Sequence, residues 1–453
     1  MTMPRAAHRR ARRALQTIVV VALWGLITHG TFAGSGDEAH YLAIAHSIAF
    51  DGDFDLSNNY GGAEPLIAGG HLKPEAHVRP GVGGVARPVH DVGLPLLFAP
   101  YVRVAVPLTH YLARTIPPSA MQRARLNAAV LYRHLLSLAM IGLSAILAGL
   151  LFDGLIAIGA TREAALATSL VVVLSPPILI MSSLFFTELV SALLCFVVFR
   201  RLMLVDTNGP RIWALLGWAI GMLFLVHARN IGLALPLAGL AGYRLRARSW
   251  AERGAFAIAL LLVVAARTWI NYEFWGTLVQ SPHARFAWTG GGELIQQMAM
   301  RLTALLVDQE FGLLPYAPIY AAAIAGAFLF ARDRPEVTFA IALVSVMYVG
   351  LIVCPITNVH GWTGGWNPAG RFLTPILPLV ALWVYAGLRE APRVIVATVL
   401  ALQIVVSAYA WQHPKLLWND GDGIAAYCEP TATTSLRSTQ ARICRWLPSF
   451  PGP

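Results

Sequence analysis

Two carboxylates stand side by side, Asp37 and Glu38, in the stretch Gly34-Ser-Gly-Asp-Glu-Ala-His-Tyr-Leu-Ala-Ile-Ala-His-Ser-Ile-Ala-Phe50, directly after the first hydrophobic segment. An ionised carboxylate can take the proton from a hydroxyl or amine as that group attacks carbon, if it lies within hydrogen-bond reach. From Asp37 onward, Tyr41, Ile44, Ala45, Ile48 and Ala49 recur at three- and four-residue spacing, with His40, Ser47 and Asp51 towards another face. That pattern predicts a short helix lying on a membrane surface. Acids at a helix N-terminus are also favoured by the backbone dipole, so the pair suits a cap as well as a base.

Other polar groups interrupt apolar runs. Glu188 follows Thr187 at the start of a hydrophobic segment. A carboxylate costs about 2.5–3.5 kcal/mol at the centre of a membrane helix and less near its end. Glu188 therefore either uses the dipole of its helix or faces a polar cavity shared with Asp37. His227 and Arg229 break a long apolar stretch, and Arg371 opens the segment after Trp362-Thr-Gly-Gly-Trp-Asn-Pro-Ala-Gly370. An arginine fork binds phosphate and stays charged when partly buried; the same residues could instead snorkel to lipid headgroups. Arg123 and Arg125 are further phosphate candidates.

His40, three residues after Asp37, could join it on a divalent metal, although one Asp-x-x-His pair is a weak signal. Asp51-Gly-Asp-Phe-Asp55 resembles the opening of a calcium loop, but Gly62 stands where the bidentate Glu belongs. A solvated turn is the better reading. Trp275, Trp288, Trp362 and Trp366 suit either an interfacial belt or stacking against sugar rings. His40, Tyr41, His90, Glu188, Trp366 and Asn367 are the candidate substrate-lining residues. The sequence carries no phosphate-binding P-loop, dinucleotide fingerprint, serine nucleophile elbow or zinc-protease His pair.

The elements that must position these groups are membrane helices. Of 453 residues 57% are hydrophobic and 13% charged, with mean hydropathy +0.61. A soluble chain carries about 25% charged residues. The net charge of +11 comes from basic residues between apolar segments, which argues for positive-inside topology and against nucleic acid. The segment 14–32 is apolar after five arginines, and Gly34-Ser-Gly-Asp-Glu is a poor signal-peptide cleavage site. The segment 94–112, interrupted by Pro95, Pro100, Arg103 and Pro107, reads as interfacial or re-entrant.

With that choice, 124–152, 162–180, 186–204, 212–226, 231–243, 253–270, 312–331, 336–354, 371–388 and 393–411 alternate across the bilayer. Every later arginine cluster then falls inside. The expectation is an all-α polytopic protein of the plasma (inner) membrane with about eleven spans, N-terminus cytoplasmic and C-terminus extracytoplasmic. Residues 1–411 form the membrane domain, including a first outer loop over 34–121, and 412–453 form a polar outer tail in which Cys428 and Cys444 could pair.

Several motifs fall in order on the outer side. They are Gly36-Asp-Glu-Ala-His-Tyr-Leu42, His90-x-x-Gly-Leu-Pro-Leu, Ser175-Pro-Pro with Thr187-Glu188, and His227-Ala-Arg229. Phe311-Gly-Leu-Leu-Pro-Tyr-Ala-Pro318 and Gly364-Gly-Trp-Asn-Pro-Ala-Gly-Arg-Phe-Leu-Thr-Pro375 follow. With them the chain resembles membrane glycosyltransferases of the GT-C fold, most closely the dolichyl-phosphate-mannose protein mannosyltransferases and their bacterial relatives, including the aminoarabinose transferases of lipid A. The resemblance implies a polyprenyl-phosphate sugar donor, a lipid, glycan or protein acceptor, inversion at the sugar carbon, and Asp37 as base with Glu38 beside it. It also implies phosphate contacts from Arg229, Arg371, His227 and Arg123. Metal use varies in that family. The chain departs from it at His90-Asp91-Val92, where many members carry His-Pro-Pro. The rival expectation is a transporter or flippase of the lipid-linked sugar, but the sequence lacks the two related halves of such folds.

Overall fold

In a solvent without water, every backbone N–H and C=O must find its partner within the chain, so apolar runs fold as helices. The computed structural model describes residues 5–28, 36–61, 66–67, 72–74, 76–278, 291–355, 361–428 and 446–450. Helix α1 (Arg5–Thr28) precedes the acidic pair and α2 (Glu38–His46) follows it. Then come α3 (Ser57–Gly61), a hairpin of β1 (Val78–Pro80) and β2 (Ala86–Pro88), α4 (Gly93–Thr115) and α5 (Pro118–Arg123). The middle of the chain holds α6 (Ala128–Ala157), α7 (Arg162–Val173), α8 (Ile178–Met181), α9 (Thr187–Met203), α10 (Pro210–Val226), α11 (Ile231–Leu245) and α12 (Trp250–Trp275). The last third holds α13 (Gly291–Val307), α14 (Leu313–Tyr316), α15 (Ala322–Asp333), α16 (Pro335–Val353), α17 (Leu377–Glu390) and α18 (Arg393–Gln412). A short ladder pairs β3 (Asn367–Pro368) with β4 (Trp418–Asn419).

Local sequence sets the helix ends. Asn127 and Thr161 accept from the backbone three residues on, opening α6 and α7. Ser249 and Glu252 form a reciprocal capping box on α12, and Gly276 ends it in the left-handed region. Pro210 and Pro335 sit at the first turns of α10 and α16, where no intrahelical N–H is required.

This is an all-α membrane protein. Among the described residues six helices are long and apolar enough to cross a bilayer: α4, α6, α12, α16, the segment Arg371–Glu390 and α18. Several of the other expected spans are short or broken. The segment 162–180 stops at Ser175-Pro-Pro and restarts as α8, and 312–331 is divided into α14, a 3-10 turn at Pro318–Ala321 and α15.

Helix α6 gives the molecule a ruler. Arg133 near its start pairs with Glu38, and Asp153 near its end gathers His8, Arg12 and Arg200. At 1.5 Å per residue the two polar ends are about 30 Å apart, the thickness of a hydrocarbon core. Asp37, Glu188, Arg229 and Arg371 all belong to the Glu38 end.

Two expectations about the acidic region change. The segment 94–112 is one unbroken 23-residue helix, α4, despite Pro100 and Pro107. It is long and apolar enough to cross, and its first half, Gly93 to Arg103, finds its partners at the Glu38 end of the bundle. Gly93 abuts Leu225 at the end of α10, Phe98 packs on Phe185 before α9, Tyr101 donates to Leu135 in α6, and Arg103 donates to Ala49. Helix α2, expected to lie on the surface, is instead buried on every side from Glu38 to His46. Its polar residues have partners that a bilayer surface would not supply: His40 meets Tyr60 at 2.7 Å and His46 meets Tyr132 at 2.9 Å.

Candidate functional site

Four charged side chains from four separated segments form one chain of ion pairs. Arg371 leads the 3-10 turn Arg371–Ile376 that runs into α17; Gly370 before it takes φ +65°, a conformation open to glycine. Its Nη2 donates to Asp37 Oδ2 at 3.0 Å and its Nε to Glu188 Oε1 at 2.7 Å. Arg229, in the 3-10 turn between α10 and α11, donates to the same Glu188 oxygen. The guanidiniums lie over aromatic faces, Arg371 over Phe186 at 4.5 Å and Arg229 over Phe372 at 4.3 Å. Flat cations on ring faces retain electrostatic support where water is scarce.

Exposure separates the roles. The Asp37 side chain is 27% exposed and that of Arg229 19%, whereas Arg371 is 6% exposed and Glu188 fully buried. Asp37 makes no capping hydrogen bond to its helix, so its carboxylate is turned to the cluster. Burial alone would raise the Asp37 carboxyl; the Arg371 guanidinium, by its charge and its hydrogen bond, outweighs it and holds Asp37 well below the usual carboxylate range. Asp37 is therefore an ionised acceptor that reaches solvent, and Glu188 is the buried counter-charge that lets two arginines meet.

Glu38 takes another direction. It is buried, accepts from the backbone N–H of Phe185 at 2.9 Å and pairs with Arg133 at 2.8 Å. It ties α2 to α6 and to the segment before α9. His227 accepts from Arg229 N at 3.2 Å and lies 3.5 Å from Asp91 Oδ2, so it braces the turn that presents Arg229. Tyr41 is buried with its ring 4.9 Å from that of His90. Asn367 is buried and donates to the carbonyls of Thr363 and Gly365, closing its own turn. Trp366, by contrast, is 51% exposed, and its carbonyl is beside Gly36, next to Asp37. Arg123 is exposed at the end of α5 and has no described contact with the ion-pair chain. His40 stacks on His77 at 3.6 Å and turns Nδ1 to Tyr60, so it does not join Asp37. Trp362 is buried against Phe311, not exposed in a belt. Trp288 lies outside the described residues.

Three parts of the site carry no local sequence signal. Asp91 accepts from Ala228 N at 2.7 Å and pairs with Arg267 of α12, fixing the His227–Arg229 turn. His77 comes from the hairpin region. The tail supplies Trp418, which packs on Trp366 at 4.8 Å and on Phe186 at 6.5 Å. The tail is latched by Glu310, whose carboxylate accepts from Gly421 N at 3.0 Å and Gly423 N at 2.8 Å. It thus closes one edge of the site instead of hanging free. Cys428 is disulfide-bonded, and Cys444 lies outside the described residues. The Asp51–Asp55 turn spends its carboxylates on Asn58, Asn59, Ser47 and Ser57, as a solvated turn does. Comparison with protein-family models, curated proteins and solved structures gives no match to this chain.

Proposed function

We propose that the protein is an integral-membrane glycosyltransferase that moves a sugar from a polyprenyl-phosphate donor to an acceptor on the extracytoplasmic side, with inversion and with Asp37 as general base. The observation that carries this reading is the Asp37–Arg371–Glu188–Arg229 chain. It joins a solvent-reachable carboxylate to arginines suited to phosphate, at the end of the bundle opposite the basic cluster on Asp153. About eleven crossings, with that basic end in the cytoplasm, complete the proposed topology.

Chemically, the acceptor O–H or N–H gives its proton to Asp37 as its lone pair attacks the anomeric carbon. The bond from that carbon to the phosphate oxygen breaks, and the lipid phosphate leaves with the electron pair. A carboxylate held low by Arg371 is a weak base, which is unfavourable for general-base work near neutral pH. Donor phosphate relieves this by drawing guanidinium charge away from Asp37. Arg229, the more exposed arginine, makes the first phosphate contact and stabilises the growing charge. Trp366 offers a face for the sugar ring beside Asp37.

Purified protein incubated with a lipid-phosphate sugar and a mixture of hydroxyl and amine acceptors is expected to liberate free lipid phosphate. A flippase would relocate the donor and leave it intact. Donor that binds but is never cleaved would overturn the proposal.

A further inference from the structure

The two oxygens of the Asp37 carboxylate face different groups. Arg371 occupies Oδ2. Oδ1 faces His90 Nε2 at 3.9 Å, and that nitrogen lies 2.7 Å from His77 Nδ1. One carboxylate oxygen and two imidazole nitrogens thus lie within 4.8 Å of one another. The β1–β2 pairing brings the histidines together: Val78 is opposite Pro88, and Val89 N donates to His77 O at 3.0 Å. Neighbouring rings fix their planes, His40 stacked on His77 at 3.6 Å and Tyr41 against His90 at 4.9 Å.

We propose that Asp37, His77 and His90 bind a divalent transition metal of zinc type. Two imidazoles and a carboxylate with an open fourth position suit such an ion. Nitrogens ~2.0–2.1 Å from a tetrahedral ion are about 3.3 Å apart, so the rings part by roughly half an ångström and the carboxylate draws in as much. The competing use of these atoms is a plain imidazole–imidazole hydrogen bond, which takes up no ion. A bound ion would fasten the hairpin to the start of α2 and leave Oδ2 on Arg371. It would also polarise a hydroxyl in the open position; that use rests on the proposed transferase activity, whereas binding does not.

The test uses the full chain without a polyhistidine tag, purified in detergent, stripped with chelator and titrated with Co²⁺. One Co²⁺ per chain is expected, visible by its d–d absorption and displaced by Zn²⁺. His77→Ala and His90→Ala should lose it, as should the milder His77→Asn, each checked for the parent's thermal transition. His40→Phe, which keeps the ring stack, should retain it. Absence of stoichiometric Co²⁺ in the parent, or its undiminished uptake by the His77 and His90 variants, overturns the site. Co²⁺ uptake without sugar transfer supports the metal site and removes the transferase reading instead.

Discussion

Arg371 serves two carboxylates at once, and this divides the arginines by function. Removing it takes the shared arginine from both Asp37 and the fully buried Glu188, which keeps only Arg229 and the Thr187 hydroxyl. Breaking such a pair typically costs about 3–5 kcal/mol, so Arg371→Ala is expected to lower the thermal transition markedly. Arg229→Ala is expected to fold and to bind lipid-phosphate sugar about 10–100-fold more weakly, the scale of one or two charge-assisted hydrogen bonds. Equal donor affinity in Arg229→Ala, measured by equilibrium binding, would remove that residue from the phosphate site. A separate residue-scale effect concerns His46, whose imidazole is pushed down to about 4 by burial, against an ordinary 6.5. The unfolded chain binds this proton first, so the stabilisation is present above about pH 6.5 and is lost as pH falls towards 4. It amounts to on the order of 3 kcal/mol. The thermal transition should fall over that window, and His46→Gln should flatten the fall; an unchanged slope would contradict it. Asp37, Glu188, Arg229 and Arg371 were legible in the sequence because each interrupts an apolar run. The division of labour between Asp37 and Glu38 was not, because it depends on Arg133, far along the chain.

Among the elements, α2 shows why the sequence misled. Its apolar spacing is that of a half-buried helix, yet α4 packs against it, the region around Tyr60 and the hairpin supplies partners for His40, and Tyr132 of α6 supplies one for His46. Tertiary contacts turned a surface helix into an interior one. Helix breaks were legible at Ser175-Pro-Pro and Gly370, but Pro100 and Pro107 misled, since α4 runs unbroken through both. The tail's role was illegible, because a Glu in a loop says nothing about which backbone it will meet 111 residues later. Glu310→Ala is expected to release the turn around Gly421 and Gly423. Hydrogen exchange at those two amides should accelerate at least about tenfold, with α6 and α9 unaffected, since a lost charged hydrogen bond is worth about 1.5–3 kcal/mol. Unaltered protection would mean that the disulfide and the β3–β4 ladder hold the tail without Glu310.

At the scale of the whole molecule, two polar ends separated by a hydrocarbon thickness define the expected orientation. Reporter tags near Asn208 and Arg334 should read as cytoplasmic, and tags near Asn58 and after Pro453 as extracytoplasmic; a cytoplasmic Asn58 would invert the proposed topology. That orientation puts Asp37 and its arginines where nucleotide sugars are absent and lipid-linked donors are presented. Single-turnover release of polyprenyl phosphate from bound donor then tests the chemistry itself. Asp37→Asn keeps the side chain's size and removes the proton acceptor. It is expected to bind the intact donor as the parent does and to release lipid phosphate about 10²–10⁴-fold more slowly. Release at the parental rate from Asp37→Asn would show that Asp37 is not the base on which the proposed reaction depends.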